Sequence, residues 1–195
     1  MISLAGWLNP TRLIGLTAYL FALASCVLAW AGGHGTAHQR RLAAVIGVLE
    51  AALLADMVLN GRWLLHDLLE NESMKRNIYA DRAGPQLATL IFLGVAALAG
   101  VGLVLRNLRN RAGAALAACG AILSVTCWCV EVVSLHSVDL VLYREAYGVK
   151  LVGLVWAACS LMTGVGILWD MREVNARARL ASGLGATLPA SPRDS

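Results

Sequence analysis

Charge is scarce in this sequence. Of its 195 residues only 14% are Asp, Glu, Lys or Arg, against roughly a quarter in a soluble domain. That is too little polar side chain to cover a water-facing globule. With 58% hydrophobic residues and a mean hydropathy of +0.67, the shortage excludes a soluble enzyme and a disordered chain. Catalytic signatures are missing too: no H-E-x-x-H, no Glu-x-x-His pair, no phosphate-binding glycine loop, no zinc signature and no Ser/His/Asp arrangement. The five cysteines (Cys26, Cys119, Cys127, Cys129 and Cys159) form no C-x-x-C and all fall in apolar runs. Cys127 and Cys129 would stand roughly 200° apart on a helix, which makes them small apolar fillers and not a chelating pair.

What the chain has is long apolar runs. Five of them can cross a hydrocarbon core of about 30 Å as helices: residues 13–30, 42–65, 86–105, 112–131 and 150–169. None alternates with a period of two, so strands of a barrel are excluded. The expected fold is an all-α, polytopic transmembrane bundle occupying residues 1–169, with a cytoplasmic tail over 170–195 that begins as a helical continuation and is largely disordered beyond it. Leu23-Ala24-Ser25-Cys26 resembles a lipoprotein cleavage box. The apolar run continues through Val27-Leu28-Ala29-Trp30, however, which fits a first span better.

Orientation follows from Lys and Arg. Nine basic residues fall on one side: Arg40, Arg41, Arg106, Arg109, Arg111, Arg172, Arg177, Arg179 and Arg193. The other side has seven, mixed with most of the acids. The expectation is an N-terminus outside and a C-terminus in the cytoplasm of a bacterial inner membrane. The net charge of +4 then faces anionic lipid and not nucleic acid.

An internal offset of 64 residues aligns Tyr79 with Tyr143, Gly84 with Gly148, and Gly100-Val101-Gly102 with Gly164-Val165-Gly166. Spans two and three would then repeat as spans four and five in the same direction. Ala96/Gly100 and Ser160/Gly164 are small-x-x-x-small pairs that let helix backbones approach in lipid.

Ionisable residues inside a span are costly, about 2.5–3.5 kcal/mol on insertion scales, and therefore mark sites. On one uninterrupted helix Asp56, Asn60, Trp63 and Asp67 fall at i, i+4, i+7 and i+11, a single stripe. The repeat places Gly120, Ser124, Cys127 and Glu131 opposite it. Glu50 lies about 120° around from Asp56, facing another neighbour. The functional reading is a proton or cation path, or a polar ligand site, along Glu50, Asp56, Asn60, Asp67, Ser124 and Glu131. The structural reading is a buried polar network, with Asp56 and Asn60 satisfied by Ser124 or backbone carbonyls.

At the outer ends of the second and fourth spans gather His66, Glu131, His136 and Asp139. Imidazole with carboxylate suits a divalent metal, and two such histidines suit a b-type haem. An acidic, solvated loop with incidental histidines is the plainer alternative. Three function classes follow: a non-catalytic subunit of a larger membrane assembly, paired with other subunits or with copies of itself; a small proton- or cation-coupled transporter; and a metal or haem redox protein.

Overall fold

The computed structural model describes residues 9–32, 36–75, 83–133 and 135–185. Among them are seven helices and one short hairpin: α1 (Pro10–Ala31), α2 (Ala37–Leu59), α3 (Gly61–Lys75), α4 (Ala83–Asn107), α5 (Ala112–Val133), α6 (His136–Leu142), β1 (Glu145–Ala146), β2 (Val149–Lys150) and α7 (Leu151–Gly185). Five are long and apolar enough to cross a membrane: α1, α2, α4, α5 and the Leu151–Arg177 part of α7. The chain is a polytopic transmembrane helical bundle.

Local chemistry sets the helix starts. The Asn9 side chain accepts from the Thr11 amide at 3.0 Å, ahead of Pro10 in the first turn of α1. Thr36 and Gln39 form a reciprocal capping box at the start of α2. Helices α1, α2, α5 and α7 surround the core, in which Tyr19, Leu53, Met57, Val152 and Trp156 make one cluster, and Cys26, Ala43, Ile46, Ala117 and Ile167 another. Cys26 is thus a buried residue in the middle of a span.

The α5–α7 pair has the most extensive packing, followed by α1–α7 and α1–α2. A Cβ on Gly120 would sit 2.6 Å from the Thr163 amide nitrogen, and one on Gly113 would collide with the backbone of Asp170. Backbones this close need glycine. The small pairs foreseen from the sequence play a lesser part: Gly164 meets Phe21 of α1, and Gly100 touches only Ile122.

The structure bears on three of these expectations. The second span ends at Leu59, not at 65, because Asn60 adopts a left-handed conformation with φ of 57° and a separate helix starts at Gly61. The tail begins as the helical continuation that was expected, and α7 runs through Gly185, its extension tied to the loop before α5 by Arg177 donating to the Asn110 carbonyl at 3.0 Å. Residues 186–195 lie outside the described part. The proposed repeat finds no matching packing, since α5 and α7 are tightly joined whereas α2 and α4 are not. Instead α4 packs on α5, and none of its residues is buried.

Candidate functional site

The break at Asn60 creates the site. On a continuous helix Asp56 and Arg62, six residues apart, would point about 120° away from each other. The left-handed turn at Asn60 swings Arg62 back over the end of α2. Its Nε donates to Asp56 Oδ2 at 2.8 Å. Its Nη1 donates to Glu131 Oε2 of α5 at 2.6 Å. Nη2 is also 2.8 Å from Asp56 Oδ2 but badly aligned for a hydrogen bond, so it adds Coulomb attraction only. Glu131 is held further by Trp156 Nε1 of α7, which donates to Oε1 at 2.6 Å, and by the Cys127 thiol at 3.7 Å. The guanidinium lies 4.8 Å from the Trp156 ring centroid, a cation–π contact that burial strengthens.

These are desolvated charges. Side-chain exposure is 6% for Arg62, 12% for Asp56 and 1% for Glu131. Burying a lone ion costs several kcal/mol, and only close partners offset that. Arginine stays protonated at any working pH and offers a planar fork to two carboxylates at once. The network therefore joins the end of α2 to α5 and α7.

Beside it a cleft of about 170 Å³ opens between the starts of α1 and α7 and the end of α2. Arg12, Asn60, Trp63, Tyr143 and Lys150 are among its lining residues. Burial pushes the Tyr143 hydroxyl well above its usual range, so it remains a neutral phenol able to donate.

The other sequence-derived candidates scatter. Glu50 is fully buried on α2, with Thr163 of α7 beside it; that hydroxyl donates to the Cys159 carbonyl at 3.1 Å, leaving both Glu50 oxygens without a hydrogen bond. Ser124 is also fully buried and its hydroxyl is unpartnered, so it satisfies neither Asp56 nor Asn60. Asp67 is exposed on α3, away from the ion network, because the stripe ends with the helix break. His66 is half-buried, 3.8 Å from Glu70 and edge-on to Trp63. Asp139 lies on the short helix α6, and the side chain of His136 lies outside the described residues. Among the described residues no group of three or more His, Cys, Asp or Glu could hold a metal ion, and Glu131, one of the four candidate ligands, is engaged by Arg62 and Trp156.

At the opposite end of the bundle a second network joins α2 and α7 to the residue that leads into α5. Arg111 grips Asp170 with bonds of 3.1 and 2.6 Å, and Gln39 of α2 donates to the same carboxylate at 2.9 Å. Sequence reasoning missed Arg62, Trp156 and this triad. The legible signal was arithmetic: buried carboxylates need cations, and Arg62 and Arg111 are the basic residues nearest the ends of their runs.

The fold and site define a polytopic membrane protein whose helix bundle is locked by an ion network at each end. Compared with known families, curated proteins and solved structures, the chain matches none.

Proposed function

We propose that this chain is a non-catalytic subunit or accessory of a larger membrane assembly in a bacterial inner or plasma membrane. The observation that carries this reading is α4. It is a 25-residue apolar helix with no buried residue, and a Cβ on Gly84, Gly94 or Gly102 would meet nothing within 4 Å. Between helices in lipid, association rests on close packing at small residues, and the exposed glycines give α4 the means to receive another helix. The intramembrane acids Asp56 and Glu131 are occupied in holding the bundle together, which favours a structural role for them. Orientation is proposed from charge: Arg40, Arg41, Arg106, Arg109, Arg111 and Arg172 gather at the Asp170 end, which we assign to the cytoplasm.

The test is gentle detergent extraction followed by native mass determination, with metal analysis and an absorption spectrum of the same sample. Co-purifying subunits that are lost with Gly94→Leu, while the chain itself remains folded, support the reading. A lone monomer refutes it, and bound iron or zinc would redirect attention to His66 and His136.

Glu50 favours a second reading, a proton- or cation-coupled transporter. A fully buried carboxyl without a hydrogen-bond partner is a group able to exchange a proton on demand. In proteoliposomes Glu50→Gln would then abolish pH-driven uptake while leaving the fold intact.

A further inference from the structure

The cleft beside the ion network has a charge pattern that the network does not use. Three cations line it: Arg12, Arg62 and Lys150. Arg62 is neutralised by Asp56 and Glu131. Arg12 donates to the Met57 carbonyl at 2.5 Å and the Val58 carbonyl at 3.1 Å, covering the last turn of α2. Lys150 is different. Its ammonium sits 5.2 Å from the Tyr143 ring centroid, and no carboxylate among the described residues pairs with it. The first turns of α1 and α7 begin at this same end, and the positive ends of these two helix dipoles outnumber the one negative end that α2 brings at Asn60. Among these groups the three cations outnumber Asp56 and Glu131, and Glu145, the cross-strand neighbour of Lys150, is exposed on the hairpin and does not line the cleft.

From this the geometry points to an anionic phosphate group as the occupant of the cleft, held by Lys150 and Arg12, with Asn60 and Tyr143 available as hydrogen-bonding partners. The size fits: about 170 Å³ admits a phosphate with a few attached atoms and is below the roughly 300–1,000 Å³ of a drug-sized site. The depth fits as well, since the cleft lies where three apolar helices end, at headgroup level. Lysine acts on phosphate as a point charge, and a basic residue at that level attracts anionic lipid. The same chemistry is offered by an anionic phospholipid headgroup and by free phosphate.

The two sources separate by titration. The full chain, delipidated in a neutral detergent, is titrated with short-chain phosphatidylglycerol, with phosphatidylcholine of the same chain length, and with inorganic phosphate. Phosphatidylglycerol is expected to bind several-fold more tightly than phosphatidylcholine. Lys150→Gln should weaken that binding about five-fold, the worth of one basic residue at the surface. Its thermal midpoint should stay unchanged, because the bond to Thr11 at this position comes from the backbone amide. Arg172→Gln, at the other end of the bundle, should bind as the wild type does. Binding of inorganic phosphate with the same Lys150 dependence would assign a soluble anion, and binding of phosphatidylglycerol alone a lipid. Equal affinity for the two lipids, no binding at all, or a Lys150→Gln variant that binds like the wild type would each overturn the inference.

Discussion

Removing the Arg62 guanidinium would leave Asp56 and Glu131 with no countercharge in a site where neither can reach much water. Breaking a buried pair by deleting one partner typically costs about 3–5 kcal/mol, and Arg62→Ala is expected to lose that much in a detergent unfolding titration. Glu131→Gln placed in the same chain should restore part of the loss, because one of the two uncompensated charges is then gone. Simple addition of the two single effects would show that the pair is uncoupled. Asn60 calls for a different experiment. Its φ of 57° suits glycine and asparagine and strains β-branched residues by about 1–2 kcal/mol. Asn60→Gly should therefore keep the thermal midpoint, whereas Asn60→Val should lower it and loosen Arg62 along with it.

At the scale of the element, the α5–α7 pair depends on the absence of a side chain. Gly120→Val would push a branched group into the Thr163 backbone, and overpacking of this kind costs about 1–3 kcal/mol. The expected result is a lower midpoint and faster cleavage of the α5–α7 segment by protease. Equal stability would mean the two helices slide apart without cost. The spans were legible in the sequence because hydropathy over about twenty residues is a local property that packing cannot override. Three of the five helices, α1, α4 and α5, lie close to their expected limits, and α7 starts where expected. The buried face of α5, running through Gly120, Ser124, Cys127 and Glu131, was reached through the 64-residue offset, and it is one face because these residues recur with the helical period. The end of the second span was not legible. A single asparagine in the left-handed region leaves almost no trace in hydropathy, yet it decides whether Arg62 faces Asp56 or faces away. Pairing across helices was equally hidden, as Asp170 and Arg111 are 59 residues apart and look like ordinary loop charges.

At the scale of the whole molecule, four of the described spans make the core and a fifth lies against one of them, with an arginine clamp at each end. The clamps predict how it comes apart: with Arg62 intact, Arg111→Ala should destabilise the bundle and free the distal part of α7 first, seen as hydrogen exchange that spreads from Asp170 while the Trp156 region stays protected. Uniform exchange would show that the two ends open together. Helix α7 itself has a further consequence. Its 35 residues extend roughly 50 Å at 1.5 Å each, well beyond a hydrocarbon slab of about 30 Å. Asp170 is gripped near the membrane boundary, and the helix continues past it, anchored once more through Arg177. A continuous helix held at Asp170 and again at Arg177 would work as a cantilever, an arm fixed at its base that carries the direction of the span outward. A rotation of α7 among the spans would then swing its distal turns through an arc, turning a small change within the bundle into a larger displacement beyond it.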